Sequence, residues 1–471
     1  MMHRWIGRRA GPPRALAARF FSQDTIYALS SAEGRAGVAI VRISGPMADA
    51  CLAQMTTTPA LPAPRLAAVR KIYHPQTKEL LDSAMALRFP QPKSFTGEDV
   101  VELHLHGSRP VVTGVLQALS TIPTCRPAEA GEFTERAFEN HKMDLMQVEG
   151  LADLLNSETE AQRKQALHQI SGTVGTVFED WRSTLVRCMA HAEANIDFGD
   201  DEDDVTDAAY DAVVDKVRAL DASIRRHLAD GRRGEILRNG VQVAILGSPN
   251  AGKSSLLNVL AQRDAAIVSP IAGTTRDIVT VPLNLGGYPV TLNDTAGIRE
   301  TNDVIEQEGV SRAHKCREDA HIKILVIDIH SSVDPQLLKL IDANTIVVLN
   351  KLDLATRTLP TLQVQAAAIC PISCADGAGI DAFLKTLQQR VQSMFAGVND
   401  DVQGLLITRE RHRTHLQDCV THLEAFLSHP YESELAAEDL RRAIHSIGRI
   451  LGRIDVEDIL DVLFRDFCIG K

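Results

Sequence analysis

Val241-Gln242-Val243-Ala244-Ile245-Leu246-Gly247-Ser248-Pro249-Asn250-Ala251-Gly252-Lys253-Ser254-Ser255-Leu256-Leu257-Asn258-Val259-Leu260 is the stretch that decides the fold. The apolar run up to Leu246 reads as a buried strand, and the segment after Lys253 has helical composition. Between them lies a complete phosphate-binding loop in the strand–loop–helix context that such a loop requires. Its glycines let backbone N–H groups curl around phosphates at a helix N-terminus. Lys253 offers a point charge to the terminal phosphates, and the Ser254 hydroxyl suits magnesium. Gly247, Asn250, Ala251, Gly252, Lys253, Ser254 and Ser255 are the expected contacts.

Further along, Asn350-Lys351-Leu352-Asp353 directly follows the apolar run Ile346-Val347-Val348-Leu349. In nucleotide-binding proteins of this type such an aspartate accepts hydrogen bonds from guanine N1 and the exocyclic amine, a donor pair that adenine lacks. The expectation is therefore an enzyme that binds and hydrolyses GTP rather than ATP. Ser373-Cys374-Ala375 occupies the place where backbone groups meet the guanine oxygen. Asp294-Thr295-Ala296-Gly297 ends another strand and supplies an aspartate for the magnesium shell and a glycine N–H for the γ-phosphate; the alternative is a plain turn. Gly273-Thr274-Thr275-Arg276-Asp277 offers a hydroxyl for magnesium, with Thr275 the choice. Ile298 stands where many GTPases carry a water-orienting glutamine, so hydrolysis needs other assistance. Glu306 is polar and falls in the second switch, although spacing alone would make it a solvated helix residue.

Around this centre, 471 residues suggest about three domains at roughly 100–200 residues each. Residues 23–141 mix short β-like runs with a helical stretch and read as an α+β domain. Residues 142–238 have helical spacing, as in Leu145, Val148, Leu151 and Leu155. Residues 239–396 alternate strands and helices, which argues for a parallel sheet with helices on both faces. Residues 397–471 turn helical again, so the simplest architecture inserts the α/β domain into a helical one.

Residues 1–22 carry five arginines and no acidic residue, the composition of a mitochondrial transit peptide. Its removal would take the formal charge from −11 to −16, again because five arginines go. Such an acidic chain would need a basic partner for work on RNA, since phosphate neutralisation supplies most of that affinity. No run of eighteen apolar residues reads as a membrane span. Eight scattered cysteines fit a reducing compartment.

The chain resembles the MnmE (TrmE) family of tRNA-modification GTPases, in its mitochondrial form. The carrying segments are Gly37-Val38-Ala39-Ile40-Val41-Arg42-Ile43-Ser44-Gly45, Ser94-Phe95-Thr96-Gly97-Glu98-Asp99-Val100-Val101-Glu102, Gly131-Glu132-Phe133-Thr134-Glu135-Arg136-Ala137-Phe138, and the terminus Phe467-Cys468-Ile469-Gly470-Lys471. Asn250 and the Gly-Thr-Thr-Arg-Asp segment add to them.

The resemblance implies an N-terminal folate-binding and dimerising domain, a discontinuous helical domain and an inserted GTPase domain. It implies a potassium ion held by Asn250, Ser269, Ile271 and Thr274, with serine at 269 where the family usually has threonine. It gives Glu306 the orientation of the attacking water. It assigns Arg42, Glu102, Lys142 and Lys471 to a 5-formyl- or methylene-tetrahydrofolate, and it puts Cys468 near the modification site. Ser108 stands where the family usually has glycine. The implied activity is carbon-5 modification, of taurinomethyl type, of the wobble uridine of mitochondrial tRNA in the matrix. A homodimer and an MnmG-like flavin-dependent protein are the implied partners. A ribosome-assembly GTPase and a non-enzymatic GTP-dependent switch are the competing expectations, and neither needs a folate site.

Overall fold

A computed structural model describes residues 24–58, 60–198, 207–263, 280–294, 320–331, 335–354, 365–396, 406–454, 457–465 and 467–470. The transit peptide read from residues 1–22 lies outside them. Two compact units emerge: residues 24–144 with 457–470, and residues 145–454.

The first unit is a mixed sheet of six described strands: β1 (Thr25–Leu29), β2 (Ala36–Ser44), β3 (Ala68–Tyr73), β4 (Leu80–Phe89), β5 (Val100–Gly107) and β6 (Cys125–Pro127), in the order β3-β4-β5-β2-β1-β6. The pairings are antiparallel except that β6 runs parallel to β1. Val41, Ile43, Leu103 and Leu105 alternate onto one face, where α1 (Ala48–Met55) and α2 (Arg109–Ser120) cover them with Leu52, Met55, Val115 and Leu119. A short helix, α3 (Glu132–Glu139), follows.

The sequence groups 397–471 as one helical segment, but Glu457–Gly470 packs with this first unit. The reason is local. Phe464 and Phe467 are buried, Ile469 bridges Ala130, and the Gly470 carbonyl accepts from Ser30 Oγ at 2.9 Å. Gly470 has φ 97°, and a Cβ there would lie 2.0 Å from the Leu29 carbonyl oxygen, so only glycine lets the terminus lie against β1.

The second unit contains α4 (Leu145–Leu155), α5 (Glu160–Ile170), α6 (Thr173–Phe198), α7 (Asp207–Leu228) and α8 (Arg233–Asn239) before the inserted sheet. That sheet comprises β7 (Val241–Leu246), β8 (Thr280–Leu285), β9 (Tyr288–Asp294), β10 (Ile322–Asp328), β11 (Thr345–Asn350) and β12 (Ala368–Pro371), ordered β12-β11-β10-β7-β9-β8. It is parallel apart from the β8–β9 hairpin. Among the helices that pack on it are α9 (Lys253–Ala261) and α10 (Ile380–Met394). The chain then returns to α11 (Glu410–Ser428) and α12 (Ser433–Ile450), which pack against α6 and α7 through Phe178, Leu185, Val217, Ile224, Leu423, Phe426, Leu440 and Ile447. Among the described residues no helix is long and apolar enough to cross a membrane.

The two halves of the helical region are joined by buried charge. Glu149 of α4 accepts from Arg411 Nε at 2.7 Å and lies 3.0 Å from His412 Nε2. Asp153, one turn on, accepts from Arg238 Nε at 2.8 Å and Arg409 Nη2 at 2.9 Å. Arg413 reaches back to Glu235 and Asp230. Burial and the neighbouring Arg411 push His412 down to about 4, so it is neutral at pH 7 and donates from Nε2. Burial works against the charge of Glu149, but the facing His412, Arg411 and Arg409 hold its carboxyl well below the usual range.

Removing one side of such a buried cluster leaves the other charges without a partner. Glu149→Ala is expected to destabilise the helical region by about 3–5 kcal/mol. Chemical denaturation of the full chain, followed by helical ellipticity, checks this; an unshifted midpoint would mean that water already solvates Arg411.

Candidate functional site

The nucleotide pocket lies at the carboxyl ends of β7, β10 and β11, the edge at which open parallel sheets bind ligands. After Leu246 the chain turns through Gly247 to Gly252 and starts α9 at Lys253. Asn250 takes the left-handed region at φ 62° and is exposed on the loop. Gly252 has φ 98°, and a Cβ on it would lie 2.1 Å from Asn350 Nδ2, so the loop can lie against β11 only with glycine there. Lys253 is buried, and its ammonium donates to the carbonyls of Gly247 at 2.8 Å and Ser248 at 2.9 Å. This curls the loop back over the helix start. Ser254 and Ser255 stand exposed in the first turn, where N–H groups lack intrahelical partners.

The segments that the sequence suggests for base recognition are tied to this loop. Asn350 Nδ2 donates to the Ala251 carbonyl at 2.9 Å, and its Oδ1 accepts from the Cys374 N–H at 3.2 Å. One buried amide thus joins the phosphate loop, the end of β11 and the loop after β12. Ser373 Oγ donates to Asp353 Oδ1 at 2.7 Å and accepts from the Ala375 and Asp376 N–H groups. Asp353 itself is exposed, and among the described residues no hydrogen bond to its second oxygen is seen. Burial pushes the Cys374 thiol up to about 11, so the thiol stays protonated and the segment is neutral apart from its carboxylates.

The sequence reading missed one member of this site. Lys351 Nζ lies 2.6 Å from Asp328 Oδ2 at the end of β10. Burial opposes ionisation of Asp328, but the hydrogen bond from Lys351 and the His330 N–H hold its carboxyl below the usual range. The available signal was positional: Asp328 ends the apolar run next to the one that Asn350 ends, and the two residues are register partners.

Asp294 closes β9 opposite Ile245 of β7, which puts its backbone beside the phosphate loop. Ser269, Ile271, Thr274, Thr275, Thr295, Ala296, Gly297 and Glu306 lie outside the described residues.

A second constellation occupies the first unit. Arg42 and Glu102 are register partners on β2 and β5, and Arg42 Nε donates to Glu102 Oε1 at 3.1 Å. The guanidinium lies 5.2 Å from the Phe95 ring centre and 5.7 Å from that of Phe133, within cation–π range. His104 Nε2 is 3.5 Å from the other Glu102 oxygen. Lys142 is exposed and donates to the Pro92 carbonyl at 3.0 Å. Ser108 is the exposed residue just before α2. Gly470 lies against Leu29 and Ser30, immediately beside the Ala28–Arg42 pairing, and Cys468 is exposed. Lys471 lies outside the described residues. Phe95 and Phe133 fall within segments that carry the family resemblance, yet only the folded sheet reveals that they flank Arg42.

Residues 145–468 match the family model described as MnmE helical domain, and residues 25–142 match that described as GTP-binding protein TrmE N-terminus. The zebrafish (Danio rerio) protein named 5-taurinomethyluridine-[tRNA] synthase subunit GTPB3, mitochondrial, is 48% identical over 474 residues, covering 95% of this chain and 93% of that protein. The human protein of the same name is 44% identical, over 96% of this chain and 94% of its own length. The tRNA modification GTPase MnmE of Parvibaculum lavamentivorans is 51% identical, over 95% of this chain and all of that protein.

Ser373 fixes one oxygen of Asp353, and if Asp353 reads the base as the sequence suggests, Asp353→Asn is expected to shift preference from guanine toward xanthine nucleotides. The amide replaces one acceptor by a donor, which suits xanthine's carbonyl and opposes guanine's amine. Competition binding of GTP against XTP checks the shift, and an unchanged ratio would remove Asp353 from base recognition.

Proposed function

This chain belongs to the MnmE (TrmE) family of tRNA-modification GTPases, and from that premise we infer that it is the GTP-hydrolysing component in carbon-5 taurinomethylation of the wobble uridine of mitochondrial tRNAs. The observation that carries the reading is likeness to mitochondrial 5-taurinomethyluridine synthase subunits along nearly the whole chain, outside as well as inside the nucleotide-binding domain. A ribosome-assembly GTPase would share only the latter. GTP binding is supported by the family and agrees with the linked geometry of Lys253, Asn350 and Asp353, and the protein is mitochondrial like those relatives. Its place within the organelle is the matrix, where the tRNAs are.

In this reading the first unit, with the chain terminus, receives the folate one-carbon donor. The pair Arg42–Glu102 supplies complementary groups: the carboxylate suits pterin N–H donors, and the cations Arg42, Lys142 and Lys471 suit a glutamate tail. Phe95 and Phe133 add apolar faces for a planar ring. The protein works as a homodimer with an MnmG-like flavin-dependent protein, and that partner adds positive charge for RNA to a chain whose formal net charge is −11. Cys468, exposed beside the docked terminus, is available to the modification site.

In the nucleotide site, Ser254 and Thr275 would hold magnesium, Asp294 would supply a carboxylate to its shell, and Glu306 would orient water. The loop itself provides no arginine to offset charge developing between the β- and γ-phosphates. A monovalent cation fills that need, and Asn250 presents a neutral oxygen from the exposed loop, with Ser269, Ile271 and Thr274 completing the ligands.

Two measurements test this. Mass spectrometry of mitochondrial tRNA nucleosides from cells lacking the chain is expected to show loss of the carbon-5 taurinomethyl group at the wobble uridine; its persistence would overturn the proposed role. GTP hydrolysis is expected to run faster in potassium than in sodium at equal ionic strength, with Asn250→Ala abolishing most of that difference while magnesium dependence stays. Equal rates in the two salts would redirect the counter-charge to Arg276.

A further inference from the structure

Lys351 is held in an unusual way. Its backbone takes the left-handed region at φ 70°, which an L residue with a long side chain rarely adopts. It lies between two residues with assigned tasks: Asn350 is bonded to the phosphate loop, and Asp353 is fixed by Ser373. Its own side chain is about one third exposed and ends on Asp328, at 2.6 Å.

Asp328 is well placed to act as an anchor. Its Oδ1 accepts the His330 N–H at 3.0 Å, and the Ser331 N–H donates to its carbonyl at 3.1 Å, so a tight turn fixes the carboxylate before it meets the lysine. The Ile329 N–H donates to the Asn350 carbonyl, which ties that turn to the base-reading loop. The carboxylate side chain is only 14% exposed, so the pair is little screened. The ammonium is thus held at one end of Lys351 and the backbone at the other, which limits the positions open to the four methylenes between them.

We propose that Asp328 is a positioning residue for guanine-nucleotide binding: it anchors the Lys351 ammonium so that the lysine stem forms the wall against which the face of the purine rests. Asp353 reads the edge of the base, while Asp328 acts through Lys351 on its face and carries no information about the exocyclic groups. The two carboxylates therefore divide affinity from selectivity. This inference rests on the GTP-binding reading of the same pocket.

The division is testable on the full chain with fluorescent GTP and inosine triphosphate, which lacks only the exocyclic amine. Asp328→Asn is expected to weaken both nucleotides by about tenfold, leaving their ratio unchanged, as fits loss of a hydrogen bond to a charged group. Asp353→Asn is expected to change that ratio. Asp328→Glu restores part of the affinity, and in a Lys351→Met background, where the stem stays and the ammonium is gone, Asp328→Asn adds less than about twofold. The proposal is overturned by unchanged or tighter binding in Asp328→Asn, by a shifted nucleotide ratio, or by a loss that persists in full beside Lys351→Met. Failure of the wild-type chain to bind either nucleotide would instead overturn the reading of the pocket, and this inference with it.

Discussion

Two carboxylates one helical turn apart, Glu149 and Asp153, hold the second unit together. A domain inserted into another must leave and return at neighbouring points, and here those points are the end of α8 and the start of α11. Asp153 accepts from Arg238 on the outgoing side and Arg409 on the returning side, so a single carboxylate closes the insertion. Glu149 secures the next turn through Arg411 and His412. Backbone packing adds to the charge: a Cβ on Gly234 would lie 2.1 Å from the Ile407 carbonyl oxygen, so α8 and the extended segment before α11 are in direct contact. Buried charge of this sort contributes little net stability over an apolar core, but it is specific, since each arginine is accepted in one geometry only.

The same economy governs the nucleotide pocket. Four segments widely separated in sequence meet there, and each joint is a single polar side chain reaching a backbone group or a fixed partner: Lys253 to its own loop, Asn350 to Ala251 and Cys374, Ser373 to Asp353, Lys351 to Asp328. The sheet brings the strand ends together, and these bonds set loop positions to within a hydrogen-bond length. Without the parallel register that puts Asp328 beside Asn350, the last of them could not form.

How far this was legible in the sequence depends on the range of the interaction. The phosphate loop reads directly because strand, glycines, lysine and helix are contiguous. The helical–α/β–helical order reads from periodicity, since α7 and α11 keep apolar residues at helical spacing. The terminus reads as helical, and Glu457–Arg465 is a helix, but its packing does not show in its composition: its partners include Ala130, Leu29 and Ser30, more than three hundred residues away. Asp328 escaped notice because its role comes from a neighbouring strand, and Phe95 and Phe133 because a ring beside a guanidinium has no sequence period. Interactions closed within a turn or a strand leave a pattern in the chain, whereas those closed by the sheet do not.

The hairpin of β8 and β9 joins these observations. Its strands begin just after the Gly-Thr-Thr-Arg-Asp segment and end at Asp294, so both ends border the segments that contact the γ-phosphate in related enzymes. Its turn lies at the opposite end, where the Gly287 carbonyl accepts from the Ala161 N–H in the first turn of α5 at 3.0 Å. The next residue, Gln162, donates to the Arg238 carbonyl on the outgoing side of the insertion. The helical region is joined to the nucleotide domain at the turn of this hairpin and, on the outgoing chain, by the Asp153 clamp, and both connections converge on α4, α5 and α8.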